Sequence, residues 1–196
     1  MINMLKNILY HLDLVKINGG HFVRCENVSL KYGKHGCIQY TNIKQIFESM
    51  LTSPIGHSPI NVDIEELNIY LIQWTNINKF KEFRVFVHDN KITAISQQHF
   101  YQSNELLKVL SNDDKSKIIN EWIILIQNYF NSNIKNNILL NSYCYDFAIL
   151  DNNKPYFIEI NPFGKEYSSG SALFHWLNDE NKLYGIDDKI YFRYTS

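Results

Sequence analysis

Apolar and polar positions alternate most regularly in the second half of the chain. Tyr143–Leu150 and Tyr156–Asn161 both carry the period-two pattern of half-buried strands, and Asp151-Asn-Asn-Lys154 between them reads as a turn. Strict alternation puts Phe157, Glu159 and Asn161 on one face and Ile158 and Ile160 on the other. With Asn152-Asn153 as a two-residue loop, Asp146 lies directly opposite Glu159. A second hairpin is predicted from Phe83–Val87 and Ile92–Gln97, joined by His88-Asp-Asn-Lys91. There Phe83, Val85 and Val87 share one face and Glu82, Arg84 and Phe86 the other, with Gln97 a candidate for Arg84's polar face.

The first half is less regular. Met1–Tyr10 reads as a short helix and Leu12–Ile17 as a strand. Asn18-Gly19-Gly20-His21 reads as a tight turn or mobile loop, and Cys37–Tyr40 and Leu67–Trp74 as further strands. Asn42 can cap a helix with Gln45 reaching back to it, the apolar stripe being Ile43, Ile46, Phe47, Met50 and Leu51. Asp113 and Asp114 open a second helix through Ile118, Trp122, Leu125 and Tyr129, which Asn131–Asn137 ends. The tail is expected to be helical around Ala172–Leu177. Strands, hairpins and two main helices imply an α+β fold with antiparallel sheets and helices on one face. Thr75–Lys81 is expected to link two lobes, residues 1–74 and 75–196.

Composition narrows the class. With 196 residues, 45% hydrophobic and 14% aromatic, the chain can bury a substantial core. A net charge of −1 gives no global attraction to nucleic acid or to an anionic membrane, so RNA binding has no support here. Cys25, Cys37 and Cys144 form no Cys-x-x-Cys pair, which argues against a zinc ribbon and fits a reducing, cytoplasmic setting. No apolar run approaches the roughly 18–20 residues that span a bilayer.

Two carboxylates facing one another across paired strands repel unless something positive lies between them. Asp146, Glu159 and Asn161 make a hard oxygen set suited to Mg²⁺ carrying nucleotide phosphates, or else a solvated strand face. Lys16, beside the glycines, can reach a phosphate or be an ordinary surface lysine. Arg84, on a half-buried strand, needs an anionic partner, either Glu82 or a phosphate. No nucleophile elbow, Walker-type loop or histidine cluster occurs, so no catalytic residue is assigned.

The runs Glu82-Phe-Arg-Val-Phe-Val87, Lys91-Ile-Thr-Ala-Ile-Ser-Gln97, Tyr145-Asp-Phe147, Ile158-Glu-Ile-Asn-Pro-Phe-Gly164 and Leu173-Phe-His-Trp176 resemble, in order and spacing, the cell division cycle protein 123 family. The resemblance runs from about Leu14 to Trp176. It implies an ATP-grasp-like fold of two lobes with an inter-lobe nucleotide cleft, binding of ATP with Mg²⁺, and an assembly-chaperone role toward translation initiation factor 2 through its gamma subunit. Asp146, Glu159 and Asn161 match the family's magnesium ligands, with Glu159 in place of an aspartate. Arg84 and Lys16 match phosphate contacts, and Trp74 matches the tryptophan beside the adenine. The family's Arg-Lys before that tryptophan is Ile72-Gln73 here. Its loop after the lysine is replaced by Gly19-Gly-His-Phe-Val-Arg24, where Arg24 alone can substitute. The fold also implies an alternative activity, an ATP-dependent ligase or a nucleotidyl or phosphoryl transferase acting on a peptide, small-molecule or RNA end. A degenerate domain that binds no nucleotide is the third reading.

Overall fold

The computed structural model describes residues 16–26, 28–60, 66–167 and 170–196, so the expected helix at Met1–Tyr10 and most of the strand at Leu12–Ile17 lie outside it. The chain divides into two compact units, Met1–Thr75 and Asn76–Ser196.

In the first unit β1 (Lys16–Cys25) lies between β2 (Tyr40–Asn42) and β3 (Ile69–Gln73), antiparallel to both. The glycines expected to make a turn are inside β1. Gly19 takes a left-handed φ of 76°, and the pairing with β2 jumps from Lys16↔Asn42 to His21↔Tyr40. The backbone freedom of glycine is therefore used for a bulge rather than a reversal. Helix α1 (Ile43–Thr52) starts where the Asn42 side chain accepts from the Gln45 N–H. Gln45 reaches back one residue further than expected, its Oε1 accepting from the Thr41 N–H. Ile46 and Met50 pack on Val23, Cys25, Leu30 and Tyr40, while Phe47 and Leu51 remain exposed.

The second unit is built on five strands in the order β7-β6-β4-β5-β8: β4 (Glu82–His88), β5 (Lys91–Gln97), β6 (Tyr143–Ile149), β7 (Pro155–Asn161) and β8 (Tyr191–Arg193). All neighbours are antiparallel except β8, which no sequence signal announces and which joins β5 in parallel. Two helices precede β6: the short α2 (Glu105–Lys108) and the long α3 (Asn112–Tyr129). Ser111 caps α3 by accepting from the Asp114 N–H. One face of the sheet, with Phe83, Val85, Val87, Tyr143, Tyr145 and Phe147, buries Trp122 and Ile126 of α3. Each such fully buried side chain is worth about 1.5–3 kcal/mol relative to exposure. The asparagines after Tyr129 do not end the helix at once. A π-helical turn, Phe130–Ile134, continues it because both of those side chains add to the same core.

The first hairpin turns through Asp89 and Asn90, both left-handed, which matches the strand twist. The second departs from expectation in two places that cancel. Its loop has three residues, with Leu150 donating to the Lys154 carbonyl and Asn153 left-handed, so Phe147 faces Phe157. A one-residue bulge at Ile158 then restores Asp146↔Glu159. The bulge also changes the faces. Phe157 and Ile160 pack into the core with Tyr145 and Phe147, while Glu159 and Asn161 share the other side with Asp146. Phe157 is therefore not on the polar face.

The tail is helical later than expected, in α4 (Glu180–Leu183), whereas Ala172–Leu177 forms turns with Ala172 at φ 51°. Among the described residues no helix is long and apolar enough to cross a membrane.

The hydroxyls of Tyr143 and Tyr145 are buried and have no hydrogen-bond partner among the described residues. Tyr145→Phe keeps the ring against Phe130 and Phe157 and removes an unsatisfied group. Urea unfolding of that variant should show stability unchanged or raised by up to about 1 kcal/mol. A clear loss would mean the hydroxyl is bonded.

Candidate functional site

The face of the second sheet opposite α3 carries a row of polar residues, one from each strand. Glu159 of β7 pairs with Asp146 of β6, Asp146 with Arg84 of β4, Arg84 with Ser96 of β5, and Ser96 with Arg193 of β8. Residues paired across adjacent strands point to the same side, so the row is fixed by register. Gln97, offered from sequence as Arg84's neighbour, pairs instead with Phe83 and is buried against Asn104 and Thr195. Ser96 holds the position beside Arg84.

Arg84 finds its anion on the neighbouring strand β6. Its partner is Asp146, held by a two-pronged bond with Nε to Oδ1 and Nη2 to Oδ2, both 2.8 Å. Nη1 donates to the Gly170 carbonyl at 2.6 Å, and Asn161 Nδ2 donates to Asp146 Oδ2 at 3.1 Å. Arg84 is 7% exposed and Asp146 3%. Burial works against the guanidinium charge, but the bonds to Asp146 and the fields of Asp146, Cys144 and Glu159 outweigh it and raise the Arg84 pKa. The positive group is thus the arginine itself, next to Asp146 on the side away from Glu159. Such a pair is costly to break, about 3–5 kcal/mol when one partner is removed, because the other stays buried and charged.

The turn after Asn161 is anchored by Phe163, which packs against His88, Trp176 and Tyr184. Gly164 follows at φ 126°, where a Cβ would meet the Glu166 carboxylate at 2.6 Å. Cys144, two residues before Asp146 on the same face, has its thiol pushed up to about 12 by burial, with Asp146 adding and Arg84 opposing. It stays protonated and offers no thiolate nucleophile.

A second arginine fork closes the far end of the row. Arg193 donates from Nη1 to Asp179 Oδ2 at 2.6 Å and from Nη2 to Oδ1 at 2.7 Å, and also bonds the Leu173 carbonyl. The Leu173 N–H donates to Ser96 Oγ, and Phe174 and Trp176 pack on Phe86. These contacts fix the segment that delivers the Gly170 carbonyl to Arg84. Ser96, Gly170, Asp179 and Arg193 were not legible as site residues. Gly170 lies 86 residues from Arg84 in the chain, and Arg193 lies 14 from Asp179.

Lys16 and Trp74 belong to the first unit. Lys16 opens β1 opposite Asn42 and is exposed. Trp74 follows β3 and donates its backbone N–H to the Gly20 carbonyl at 3.0 Å, beside the bulge. Arg24 lies further along β1, opposite Tyr70. Within the second unit the structure brings together Arg84, Asp146, Glu159 and Asn161.

Among the described residues no three His, Cys, Asp or Glu side chains converge as a metal cluster. The row offers a different set: two carboxylates and an amide. The Asn161 amide nitrogen is committed to Asp146, which leaves its oxygen as a donor, and Glu159 supplies a second hard oxygen. Asp146 retains one of about four lone-pair sites after three N–H contacts. This donor chemistry fits a hard divalent cation such as Mg²⁺.

The fold and row define the class: an α+β protein of two units, one of them a mixed five-stranded sheet with a buried acid–arginine row. The chain belongs to the D123 family, whose model matches residues 42–196. It is similar to a Candida albicans protein named translation initiation factor eIF2 assembly protein, 30% identical over 173 residues, covering 84% of this chain and 45% of that protein. A Dictyostelium discoideum protein of the same name is 26% identical over 152 residues, 74% of this chain and 37% of that protein. The chain thus spans less than half the length of these curated relatives. Its fold matches the structure of Cdc123 from Schizosaccharomyces pombe with a TM-score of 0.64 at 14% identity, covering 100% of this chain and 77% of that one. A C-terminally truncated form of that protein gives 0.67 at 16% identity, covering 98% and 76%. At these identities the likeness is one of fold.

The Asp179 carboxyl is held well below the usual carboxylate range, chiefly by the Arg193 fork, with burial opposing and Lys182 and the His175 N–H assisting. A carboxyl depressed in the folded state contributes stability that is full above its unfolded pKa of about 3.9 and is lost as pH falls toward the folded value. Asp179→Asn should therefore be less stable than the parent at neutral pH and lose less stability on acidification. Urea midpoints taken from about pH 6 to about pH 2.5 check this. Parallel curves for the two proteins would contradict it.

Proposed function

We propose that this chain is an ATP·Mg²⁺-binding member of the D123 family that acts as an assembly chaperone toward translation initiation factor eIF2, in the cytoplasm. The observation that carries the reading is the convergence of Asp146, Glu159 and Asn161 beside Arg84 on one sheet face. Glu159, Asn161 and Asp146 would hold the metal, whose charge would offset that of the phosphates. Arg84 would supply a planar cation able to grip a phosphate by two N–H groups. Lys16 and Trp74 enter as positions matched to the family's phosphate and adenine contacts.

The partner follows from the names of the relatives, and the gamma subunit is the surface of eIF2 that the resemblance indicates. Nucleotide in this role orders a surface that grips the protein partner, so turnover is not required. With Cys144 protonated and no nucleophile–base pair assigned among the site residues, binding is the simpler use of the row.

Thermal unfolding with ATP and magnesium tests this. At a ligand concentration about a hundred times Kd, stabilisation is about 2.7 kcal/mol, a rise of roughly 5–10 °C for a chain of this size. Glu159→Gln, a half-buried position outside the fork, should remove most of that rise. An unchanged midpoint in the parent protein at millimolar ATP and magnesium would overturn the proposal.

A further inference from the structure

We propose that the Arg84–Asp146 fork is a latch that masks the metal-binding carboxylate until a phosphate draws Arg84 away. This rests on the proposed function and concerns how its site is gated. The resting geometry commits the two functional groups to each other. Three N–H groups occupy the Asp146 carboxylate, and all three guanidinium nitrogens of Arg84 are engaged with Asp146 or Gly170. In this state Asp146 cannot give a metal more than its last lone pair, and Arg84 keeps for a phosphate only the two N–H groups, one on Nη1 and one on Nη2, that these bonds leave over.

The electrostatics dictate how the latch opens. Asp146 and Glu159 are directly paired across β6 and β7, and the Arg84 charge lies next to them in the row. Moving Arg84 off Asp146 with nothing in exchange takes from the Asp146 carboxylate, 3% exposed, the guanidinium that forks it. A divalent ion arriving together with a phosphate makes the exchange neutral: the ion replaces the guanidinium at the carboxylates, and the phosphate replaces the carboxylate at the guanidinium. An ion alone meets an Asp146 carboxylate that is satisfied but for one lone pair. The latch therefore discriminates against free metal ions. Asn161 is the fixed point of the exchange, since its amide can stay on Asp146 while its oxygen turns to the ion.

The test is metal binding without nucleotide. Mn²⁺ is titrated into the parent protein and into Arg84→Gln, with free Mn²⁺ followed by electron paramagnetic resonance. Unmasking Asp146 should tighten Mn²⁺ binding at least about tenfold in the variant, and Glu159→Gln added to it should abolish the gain. If Arg84→Gln unfolds without metal, a thermal midpoint that climbs with Mn²⁺ while the parent's does not is the same result. Arg84→Lys, which keeps the charge but cannot fork, should fall between the two and serves if the glutamine variant does not fold. Mn²⁺ affinity equal to the parent's in each folded variant would overturn the latch. The outcome is separable from the nucleotide reading: a variant that gains Mn²⁺ affinity in a protein whose midpoint ignores ATP leaves the masking standing and removes the nucleotide.

Discussion

A guanidinium taken out of water must find an anion with matching geometry, and in this fold that requirement falls on Arg84. It lies on β4, an interior strand of the second sheet, where flanking strands cover it on both sides. Only the register that places Asp146 beside it on β6 satisfies the charge with two short bonds. Slipping that pairing by one residue would turn Asp146 to the apolar face and bury an unmatched arginine. The ion pair therefore selects a single arrangement of β4 and β6. Asn161 and the Gly170 carbonyl then complete the shell around it.

The same economy recurs at the other end of the row. Arg193 grips Asp179 with a second fork and lies 4.3 Å above the Phe174 ring, so a three-residue strand with little pairing of its own is held by its side chain. The segment between the two arginines is thereby tied down at Leu173, Phe174 and Asp179. Aromatic packing of Phe86, Phe163 and Trp176 fills the space beside the row. Polar and apolar halves of one sheet face thus support one another. The row is positioned by what packs beside it, and the tail is held to the sheet by the row.

Much of this was legible in the sequence, though not always for the right reason. The alternation in Glu82–His88 identified the faces of β4 correctly because its neighbours on both sides keep a simple pairing up to Phe86. Asp146 opposite Glu159 was found by assuming a two-residue loop. The chain uses a three-residue loop and repays the extra residue with the bulge at Ile158, which also carried Phe157 into the core. A bulge has no reliable signature in a run such as Phe157-Ile-Glu-Ile, because every residue there suits a strand. Gly19-Gly20 misled in the opposite direction, since a glycine that bends a strand looks like one that reverses it. The partner of Arg84 was missed because strand order, which decides it, is a long-range property. Between Arg84 and Asp146 lie a hairpin and the whole of α3. Asp179 and Arg193 were invisible for the same reason.

Membership of the D123 family and a fold shared with Cdc123 agree with the resemblance carried by those strand motifs, and the row gives the resemblance a physical basis. Arg84, Asp146, Glu159 and Asn161 are joined in one electrostatic unit by the fork and the strand register. The fork at its centre can be observed directly through the side-chain Nε–H of Arg84 by nitrogen-15 nuclear magnetic resonance. A buried two-pronged bond predicts a resolved signal that exchanges slowly with solvent and is lost or strongly shifted in Asp146→Asn. A signal exchanging as fast as that of a surface arginine, and indifferent to Asp146, would contradict the account at its root.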